Sequence, residues 1–339
     1  MFTLPLPVGK LPPELLARLL AHAPVTDPRV LVRPGLGLDC AVVETPGTDT
    51  LLVFKSDPIT FATDALGWYL VQVNANDLAT TGATPRWFLA TLLLPETHTT
   101  PALAERLNAD IAAACAELGI SVIGGHTEIT AGLERPLAAG ALIGEVARTD
   151  LVTPRGARPG DRLLLTKGVP IEATALLARE FPDRLRPALG DEALRQAADF
   201  LRTPGISVVR DAQIARRAGR VTAMHDPTEG GLATALWELA EASGHTLVAD
   251  PGAVPVPDVS RRLCQALDLD PLAALASGAL LLTADPADAA AIRQALESAA
   301  IPCADLGAVE AGPPEVLEPN PRRRWPRPTR DAVAVLFER

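Results

Sequence analysis

The segment Asn74-Ala-Asn-Asp-Leu-Ala-Thr-Thr-Gly-Ala-Thr-Pro85 places two asparagines and an aspartate inside a helical pattern. Apolar residues recur at helical spacing from Ala65 to about Thr81, and Gly82 followed by Pro85 is typical of a helix end. Asparagine and aspartate are poor helix formers because their side chains compete for main-chain hydrogen bonds. Only four asparagines occur in the chain, and two of them lie here. The polar residues of this helix therefore need a reason beyond helix formation.

Strands and helices are predicted on both sides of this helix from apolar periodicity and turn residues. They are a helix from Leu11 to about Ala23, strands at Ala41–Val43, Leu51–Phe54, Trp87–Leu94, Ile120–Ile123 and Leu137–Val146, and a helix at Pro101–Leu118. The stretch Thr153–Gly160 is rich in Pro, Gly and Arg and lacks apolar periodicity, which indicates a domain junction.

The second half of the chain shows the same mixture of elements. Strands are predicted at Arg162–Thr166, Val221–His225 and Ala279–Thr283, with a last one ending at Val309, and helices at about 171 onward, 191–201, 207–217, 231–242 and 286–299. The mixture predicts two α+β domains, which we place at residues 1–154 and 155–339.

The composition of the 339-residue chain limits the classes of function. A net charge of −10 argues against binding of nucleic acid, because a sequence-independent grip on phosphates requires a surplus of Lys and Arg. No apolar run approaches the roughly 20 residues of a membrane span and no signal peptide is recognisable, so the cytoplasm is the expected location. The four cysteines are far apart, which argues against a disulfide framework or a zinc site.

Five segments of small and acidic residues lie at or near the ends of predicted elements, where binding groups usually sit. They are Gly37–Ala41, Lys55–Pro58, Asn74–Asp77, Gly124–Glu128 and His225–Gly231. Each has a structural explanation by itself, because Asp favours turns and both Asp and Thr cap helices. If several of the aspartates converge, their carboxylates provide the hard oxygen ligands that Mg²⁺ prefers.

Lysine is as rare as asparagine, with Lys10, Lys55 and Lys167 the only ones among 31 basic residues. Lysine is a compact point charge suited to a phosphate oxygen, and it is not interchangeable with arginine. Lys55 belongs to one of the five polar segments, and Lys167 follows the first predicted strand of the second half. These lysines are therefore candidates for phosphate binding.

In their order along the chain, these segments resemble the motifs of the AIR synthase superfamily of ATP-using proteins, and the similarity covers nearly the full length. The matching motifs are Gly37-Leu-Asp-Cys-Ala-Val42, Ser56-Asp57, Asn76–Pro85, Gly160-Asp161, Asp226-Pro-Thr-Glu-Gly-Gly231 and Ala276-Ser-Gly-Ala-Leu280. No Walker A pattern occurs in the chain, which suits a superfamily that binds ATP without one.

The resemblance implies a two-domain PurM-like fold of the α+β class. Its N-terminal α+β domain dimerises through its sheet into a β-barrel, its C-terminal domain is an α/β sandwich, and the expected cofactors are ATP and Mg²⁺. The predicted metal ligands are Asp39, Asp57, Asp77 and Asp226. The predicted nucleotide-binding residues are Lys10, Asn76, Gly125, Thr127, Lys167, Thr228 and Gly230. The predicted catalytic residues are Lys55, His126 and Glu128.

The chain departs from the hydrogenase-maturation branch of the superfamily, HypE, in two places. That branch carries a carbamoyl-accepting cysteine at its C-terminal end, whereas no cysteine follows Cys303 here, so the HypE reaction is not expected. Where the branch has Gly-Asp-Thr, this chain has Gly125-His126-Thr127, and Glu128 is a candidate replacement for the absent acid. His126 could act as an acid–base group or substrate contact, or could be a neutral imidazole that serves only the fold.

Three functions remain open from the sequence. The first is an ATP-dependent, HypE-like enzyme that transfers a phosphoryl group to an oxygen of an unidentified small-molecule or protein substrate. The second is a nucleotide-binding assembly or maturation partner without turnover. The third is a kinase similar to thiamine-monophosphate kinase.

Overall fold

A computed structural model describes residues 6, 8–22, 24–35, 37–62 and 64–338. By their contacts these residues form two compact units. The N-terminal unit contains residues 27–33 and 39–151, and the C-terminal unit contains the described residues before 27, those of 34–38 and those from 152 on. Each unit has one sheet with helices, which confirms the predicted two-domain α+β class. The boundary between residues 154 and 155 stays a prediction.

The N-terminal unit is a six-stranded sheet with two helices. Its elements are β1 (Val30–Val32), β2 (Ala41–Glu44), β3 (Thr50–Ile59), α2 (Leu66–Thr80), β4 (Thr84–Pro95), α3 (Pro101–Glu117), β5 (Ser121–Thr130) and β6 (Leu137–Ala147); α1 (Pro13–Ala21) precedes them and belongs to the C-terminal unit. The strand order is β1-β2-β3-β6-β4-β5. Only the β4–β5 pair is parallel, because α3 crosses over between these two strands.

Helix α2 confirms the helix predicted around Asn74–Asp77. All 15 of its residues are buried, as expected for a helix covered by protein on every side. It contacts β3, β6 and α3. A Cβ atom at Gly67 would lie 2.8 Å from the carbonyl oxygen of Leu107, so the glycine allows the close approach of α2 to α3. The polar side chains of α2 are thereby held inside the N-terminal unit.

Two strands are longer than predicted, so two of the polar segments lie inside strands. β3 continues through Lys55–Pro58 to Ile59, and β5 continues through Gly124–Glu128 to Thr130. Both segments were expected at strand ends, and this expectation was wrong. The reason is pairing with neighbours: Asp57 lies opposite Gly140 of β6, and His126 lies opposite Thr91 of β4.

The C-terminal unit is a second six-stranded sheet covered by helices. After α1, its elements are β7 (Arg162–Thr166), α4 (Ile171–Glu180), α5 (Pro182–Leu189), α6 (Asp191–Asp199), α7 (Val209–Ala218), β8 (Val221–His225), α8 (Gly231–Ser243), β9 (Thr246–Ala249), α9 (Asp258–Leu267), β10 (Leu281–Ala284), α10 (Ala289–Ser298), β11 (Cys303–Glu310) and β12 (Val316–Leu317). The strand order is β12-β9-β11-β7-β10-β8, and only β12 and β9 run parallel.

Most predicted elements of this unit are confirmed, with boundaries that differ by a few residues. Four elements were not predicted from the sequence: α5, β9, α9 and β12. The strands β9 and β12 are only four and two residues long, which leaves too little periodicity to detect. The predicted end of the first helix, Ala23, lies outside the described residues. Among the residues that the structure describes, no helix is long and apolar enough to cross a membrane.

Candidate functional site

Lys55 lies between two aspartates inside the N-terminal unit. Its ammonium nitrogen is 3.1 Å from Oδ2 of Asp57 and 3.1 Å from Oδ2 of Asp77. Lys55 and Asp57 are two residues apart on β3 and so point to the same face of the strand, whereas Asp77 comes from α2. The side chain of Asp77 is 3% exposed, that of Lys55 12% and that of Asp57 34%. The three charges therefore meet at a position that is buried at Asp77 and partly exposed at Asp57.

Attraction by carboxylates keeps Lys55 charged in spite of its burial. Desolvation by itself lowers the pKa of Lys55, but Asp77, Asp57 and Asp39 together raise that pKa well above its ordinary value. With three carboxylates and one ammonium, the formal charge of this group is −2. Carboxylate oxygens are the ligands that Mg²⁺ selects, so the donor chemistry of this cluster fits that ion.

Asn74 connects α2 to the strand that carries Asp57. Its side-chain oxygen accepts a hydrogen bond from the main-chain nitrogen of Asp57 at 3.0 Å, and its amide nitrogen donates to the main-chain oxygen of Asp57 at 3.3 Å. A Cβ atom at Gly140 would lie 2.8 Å from that amide nitrogen, so a larger residue there would displace it. Asn74 was noted in the sequence for its rarity but was not assigned to the site. Asn76 is fully buried on the same helix.

His126 and Glu128 form a pair on the exposed strand β5. The Nε2 atom of His126 is 3.0 Å from Oε2 of Glu128, and the hydroxyl of Thr130 donates to the other oxygen of Glu128 at 2.9 Å. These two bonds, with that of His126 the stronger, lower the pKa of Glu128. The side chains of His126 and Glu128 are 63% and 50% exposed. The structure therefore brings these two predicted catalytic residues together.

The same pair is separated from Lys55 within one chain. Strands β3 and β5 are three positions apart in the sheet, with β6 and β4 between them. At about 4.8 Å per strand the separation is roughly 14 Å. His126 and Glu128 therefore do not contact the Lys55 cluster of their own chain, and their catalytic role stays a prediction.

Gly125 and Thr127, the predicted phosphate contacts, also lie on β5, whose residues 121–129 are all exposed. Gly125 has a φ of +148° and pairs with Ala90, just after a register shift between β4 and β5. A Cβ atom there would lie 2.0 Å from the carbonyl oxygen of Ala90, so the strand pairing alone already requires glycine at this position. The phosphate contact of Gly125 and Thr127 stays a prediction.

In the C-terminal unit, the segment after β8 forms a second polar group. Asp226 follows the end of β8 and is 1% exposed. The ammonium of Lys10 donates to the hydroxyl of Thr228 at 3.1 Å and lies 3.0 Å from a carboxylate oxygen of Glu229. Burial alone raises the pKa of Glu229, but the attraction of Lys10 together with hydrogen bonds from Lys10, Thr228 and the main-chain nitrogen of Glu229 itself outweighs burial, and the net shift is downward. Lys10, Thr228 and Gly230 thus belong to one local site, and Glu229 joins them as a residue that the sequence did not single out.

Lys167, the third lysine, is engaged in a buried network of the C-terminal unit. Its ammonium donates to the carbonyl oxygens of Ser207 and Gly278 and lies 3.2 Å from a carboxylate oxygen of Asp211. Burial lowers the pKa of Lys167 in spite of Asp211. These three partners match the three donors of an ammonium group. The geometry favours a role in the fold for Lys167, and its predicted nucleotide contact stays a prediction.

Comparison with known proteins gives matches to both units. The family described as AIR synthase related protein, N-terminal domain, matches residues 37–146, and the corresponding C-terminal domain family matches residues 158–318. The carbamoyl dehydratase HypE of Cupriavidus necator is 31% identical over 251 residues, which cover 70% of this chain and 65% of that protein. The selenide, water dikinase of Shewanella sp. (strain MR-7) is 31% identical over 259 residues, which cover 73% of this chain and 68% of the dikinase.

A solved structure supports the fold. The crystal structure of hydrogenase maturation protein HypE in complex with ATP matches with a TM-score of 0.70 at 24% identity, covering 89% of this chain and 90% of that one. This likeness confirms the fold, whereas the two matched domains and the identity to the dikinase confirm the resemblance inferred from the motifs. The chain belongs to the AIR synthase-related family.

Proposed function

We propose that this protein is a Mg²⁺- and ATP-dependent enzyme that transfers a phosphoryl group to an oxygen of a second substrate. The bond between the γ-phosphorus and the β–γ bridging oxygen of ATP breaks, a bond to the substrate oxygen forms, and ADP leaves. The acceptor is an amide, carboxylate or phosphate oxygen of a small molecule or a protein.

The observation that carries the proposal is the position of Lys55 between Asp57 and Asp77. Together with Asp39, these residues have a formal charge of −2, which suits a divalent cation and the phosphate oxygens that come with it. The HypE protein of similar fold was crystallised with ATP, which makes this nucleotide the first candidate.

The proposed roles follow from these positions. Asp39, Asp57 and Asp77 would hold Mg²⁺, and Asp226 is proposed as a further ligand on the family resemblance alone. The ion would supply neutralisation of the charge that develops on the transferred phosphate. Lys55 stays protonated and would bind a phosphate oxygen. Lys10, Thr228 and Gly230 would bind the nucleotide beside Glu229.

We further propose a homodimer formed through β5, and a cytoplasmic location. β5 is an edge strand whose outer side has no partner strand among the described residues of one chain. It exposes Val122, Ile123 and Ile129 at 49%, 57% and 64%. An exposed apolar edge strand invites pairing with a second copy.

One observation favours a second candidate, a nucleotide-binding partner without turnover. The His126–Glu128 pair lies about 14 Å from Lys55, as judged by three strand spacings within one chain. An enzyme in which this pair acts as the acid–base group needs the substrate to reach both positions. A binding protein does not have this requirement.

Thermal unfolding with nucleotides tests the binding part of the proposal. With Mg²⁺ present, ATP at about 100 times its Kd should stabilise the protein by about 2.7 kcal/mol. If ATP, ADP and AMP all leave the unfolding temperature unchanged, both candidates are excluded. If ATP binds, ADP release measured across amide, carboxylate and phosphate acceptors separates the enzyme from the binding protein.

A further inference from the structure

Asp331, far along the chain, bonds directly to the loop that carries Thr228 and Gly230. Its Oδ2 atom accepts a hydrogen bond from the main-chain nitrogen of Gly230 at 2.6 Å. Its Oδ1 atom accepts one from the main-chain nitrogen of Val333 at 2.7 Å. The residue is 4% exposed. The carboxylate thus links two segments that are about one hundred residues apart.

The loop at the other end of this bond has an uncommon main-chain shape. Gly230 and Gly231 have φ values of +80° and +62°, which side-chain-bearing residues rarely adopt. A Cβ atom at Gly231 would lie 2.5 Å from the carbonyl oxygen of Leu272. The nitrogen of Gly231 donates to the carbonyl oxygen of Thr228 at 3.0 Å, which closes the turn. In this turn the nitrogen of Gly230 is directed at Asp331.

The segment that carries Asp331 is itself firmly anchored. We call residues 325–337 the C-terminal strap. Trp325 is 3% exposed and its indole nitrogen donates to the carbonyl oxygen of Ala249 at 2.9 Å. The nitrogen of Ala332 donates to the carbonyl oxygen of Ala273 at 3.0 Å, and Val333 is fully buried. Contacts within the C-terminal unit therefore fix the position of the strap and of Asp331.

We propose that Asp331 is a positioning residue, which holds the Thr228–Gly231 turn in the shape that binds the nucleotide. The inference rests on the proposed function, because it takes nucleotide binding as the purpose of this turn, whose Thr228 hydroxyl accepts a hydrogen bond from Lys10. Asp331 acts through Gly230 and does not itself touch the nucleotide.

The chemistry at Asp331 suits a carboxylate better than its neutral analogue. Burial raises the pKa of Asp331 to about 6, although the main-chain nitrogens of Gly230, Val333 and Leu275 act in the opposite direction. A carboxylate offers only acceptors, so it can serve all three N–H groups. An asparagine would turn its NH₂ group toward one of them and lose that bond. The main-chain N–H groups around Asp331, including that of the positive-φ residue Gly230, therefore favour a carboxylate over an amide at this position.

The test compares Asp331→Ala and Asp331→Asn with the unaltered chain, each as the full-length protein. Two quantities are measured well below the unfolding temperature: the Kd for a non-hydrolysable ATP analogue with Mg²⁺, and amide hydrogen exchange in peptides spanning 226–231 without ligand. Arg323→Ala is the local control, because Arg323 pairs with Glu318 at the surface just before the strap. Ile292→Val, in the core of the C-terminal unit, is the control for general loss of stability.

We expect Asp331→Ala to raise the Kd about tenfold and to accelerate exchange in peptides spanning 226–231, since a hydrogen bond to a charged group is lost. Asp331→Asn should fall between the alanine variant and the unaltered chain, and it carries the test if the alanine variant does not fold. Both controls should keep the Kd and the exchange of this loop unchanged.

Two results would overturn the inference: an unchanged Kd in the variants that fold, or a raised Kd without faster exchange of the loop. A control that raises the Kd as much as Asp331→Ala also counts against it. If the unaltered chain binds no nucleotide, the proposed function fails, and the exchange data alone then report whether Asp331 holds the turn.

Discussion

The side-chain amide of Asn74 pairs with the main chain of Asp57 as a neighbouring strand would. It accepts from the nitrogen and donates to the oxygen of the same residue, at 3.0 and 3.3 Å. β2 pairs with β3 only as far as Phe54, so the main chain of Asp57 lies beyond the end of that partner strand. Asn74 supplies the hydrogen-bond partners that β2 does not provide at this point, and it fixes the position of Asp57 beside Lys55. The buried asparagine of helix α2 is therefore explained by its hydrogen bonds to the main chain of strand β3.

Asn74→Ala should destabilise the protein by about 1–3 kcal/mol, because the variant leaves the main-chain groups of Asp57 without their partner. Urea unfolding of the variant measures the loss. Asn108→Ala, an exposed asparagine on α3, is the matched control and should change stability by no more than about 0.5 kcal/mol. Equal effects at both positions would contradict the role given to Asn74.

Lys55→Ala should destabilise the protein by about 3 kcal/mol without divalent ions, because Asp77 would remain buried without its cation. Millimolar Mg²⁺ should restore part of the loss if the carboxylates bind that ion. Unfolding in EDTA and in Mg²⁺ provides the comparison. Arg86→Ala breaks an exposed pair of the same unit and should cost at most about 1 kcal/mol in either buffer. A Lys55 variant that ignores Mg²⁺ would argue against a metal at this cluster.

Asp57→Asn should abolish the Mg²⁺-dependent part of the stabilisation by ATP. The substitution keeps the size of the side chain but removes one of the proposed ligand charges. Thermal unfolding with ATP, with and without Mg²⁺, is the measurement. Asp49→Asn alters an exposed aspartate just before β3 and should behave like the unaltered chain. If Asp57→Asn keeps the full Mg²⁺ response, Asp57 is not part of the site.

Ile123→Lys should shift the protein from dimer to monomer while leaving its unfolding temperature at low concentration nearly unchanged. The substitution places a charge on the exposed edge strand β5, and we expect the dimer to weaken at least about tenfold. Sedimentation at several concentrations measures the association. Leu31→Lys, on the opposite edge strand β1, is the control and should leave the oligomeric state unaltered. A monomer at all concentrations in the unaltered chain would refute the dimer.

Glu172 should make the protein less stable as the pH rises from about 5 to 8. Burial raises the pKa of this carboxyl group to about 8, with Glu229 and Asp331 adding to the shift and hydrogen bonds from Ser277 opposing it. The folded state therefore keeps a proton that the unfolded state has already released. The loss from this group approaches about 1.4 kcal/mol per pH unit in that range and ends above the folded-state pKa.

Glu172→Gln, which cannot titrate, should remove this slope and be more stable than the unaltered chain at pH 8. Urea unfolding at pH 5, 6.5 and 8 measures it. The shift of Asp331 to about 6 acts in the same direction, so a shallower slope should persist in the variant. An identical pH dependence in both proteins would show that Glu172 is ionised in the folded state.

Local patterns in the sequence predicted the elements well where those elements are long. The helix around Asn74 was expected from apolar spacing and its Gly82 end, and α2 ends at Thr80. The strands β3 and β5 were predicted too short, because polar residues broke their apolar pattern although both strands continue pairing with neighbours. Short elements such as β12 carried no signal. Periodicity reports burial of one face and does not report pairing.

The sequence predicted only part of the site. Contacts between residues far apart along the chain leave no local pattern from which they could be predicted. Lys55, Asp57 and Asp77 were selected from the sequence, and the structure brings these three together. The same motifs did not reveal that three strand spacings separate His126 from Lys55, since strand order is not encoded in any short segment. The tie between Asp331 and Gly230 had no signal at all.

By itself, the sequence determined the class of the two units, the motifs of the AIR synthase-related family and the rare residues that carry the candidate chemistry. These properties depend on residue type and on spacing over a few turns or strands. Only the tertiary structure decided that Asn74 hydrogen-bonds to the main chain of Asp57, that Lys167 forms an ion pair with Asp211, and that β5 lies at an exposed edge. Hydrogen-bond partners and burial depend on which distant segments meet, and packing of the whole unit sets those meetings.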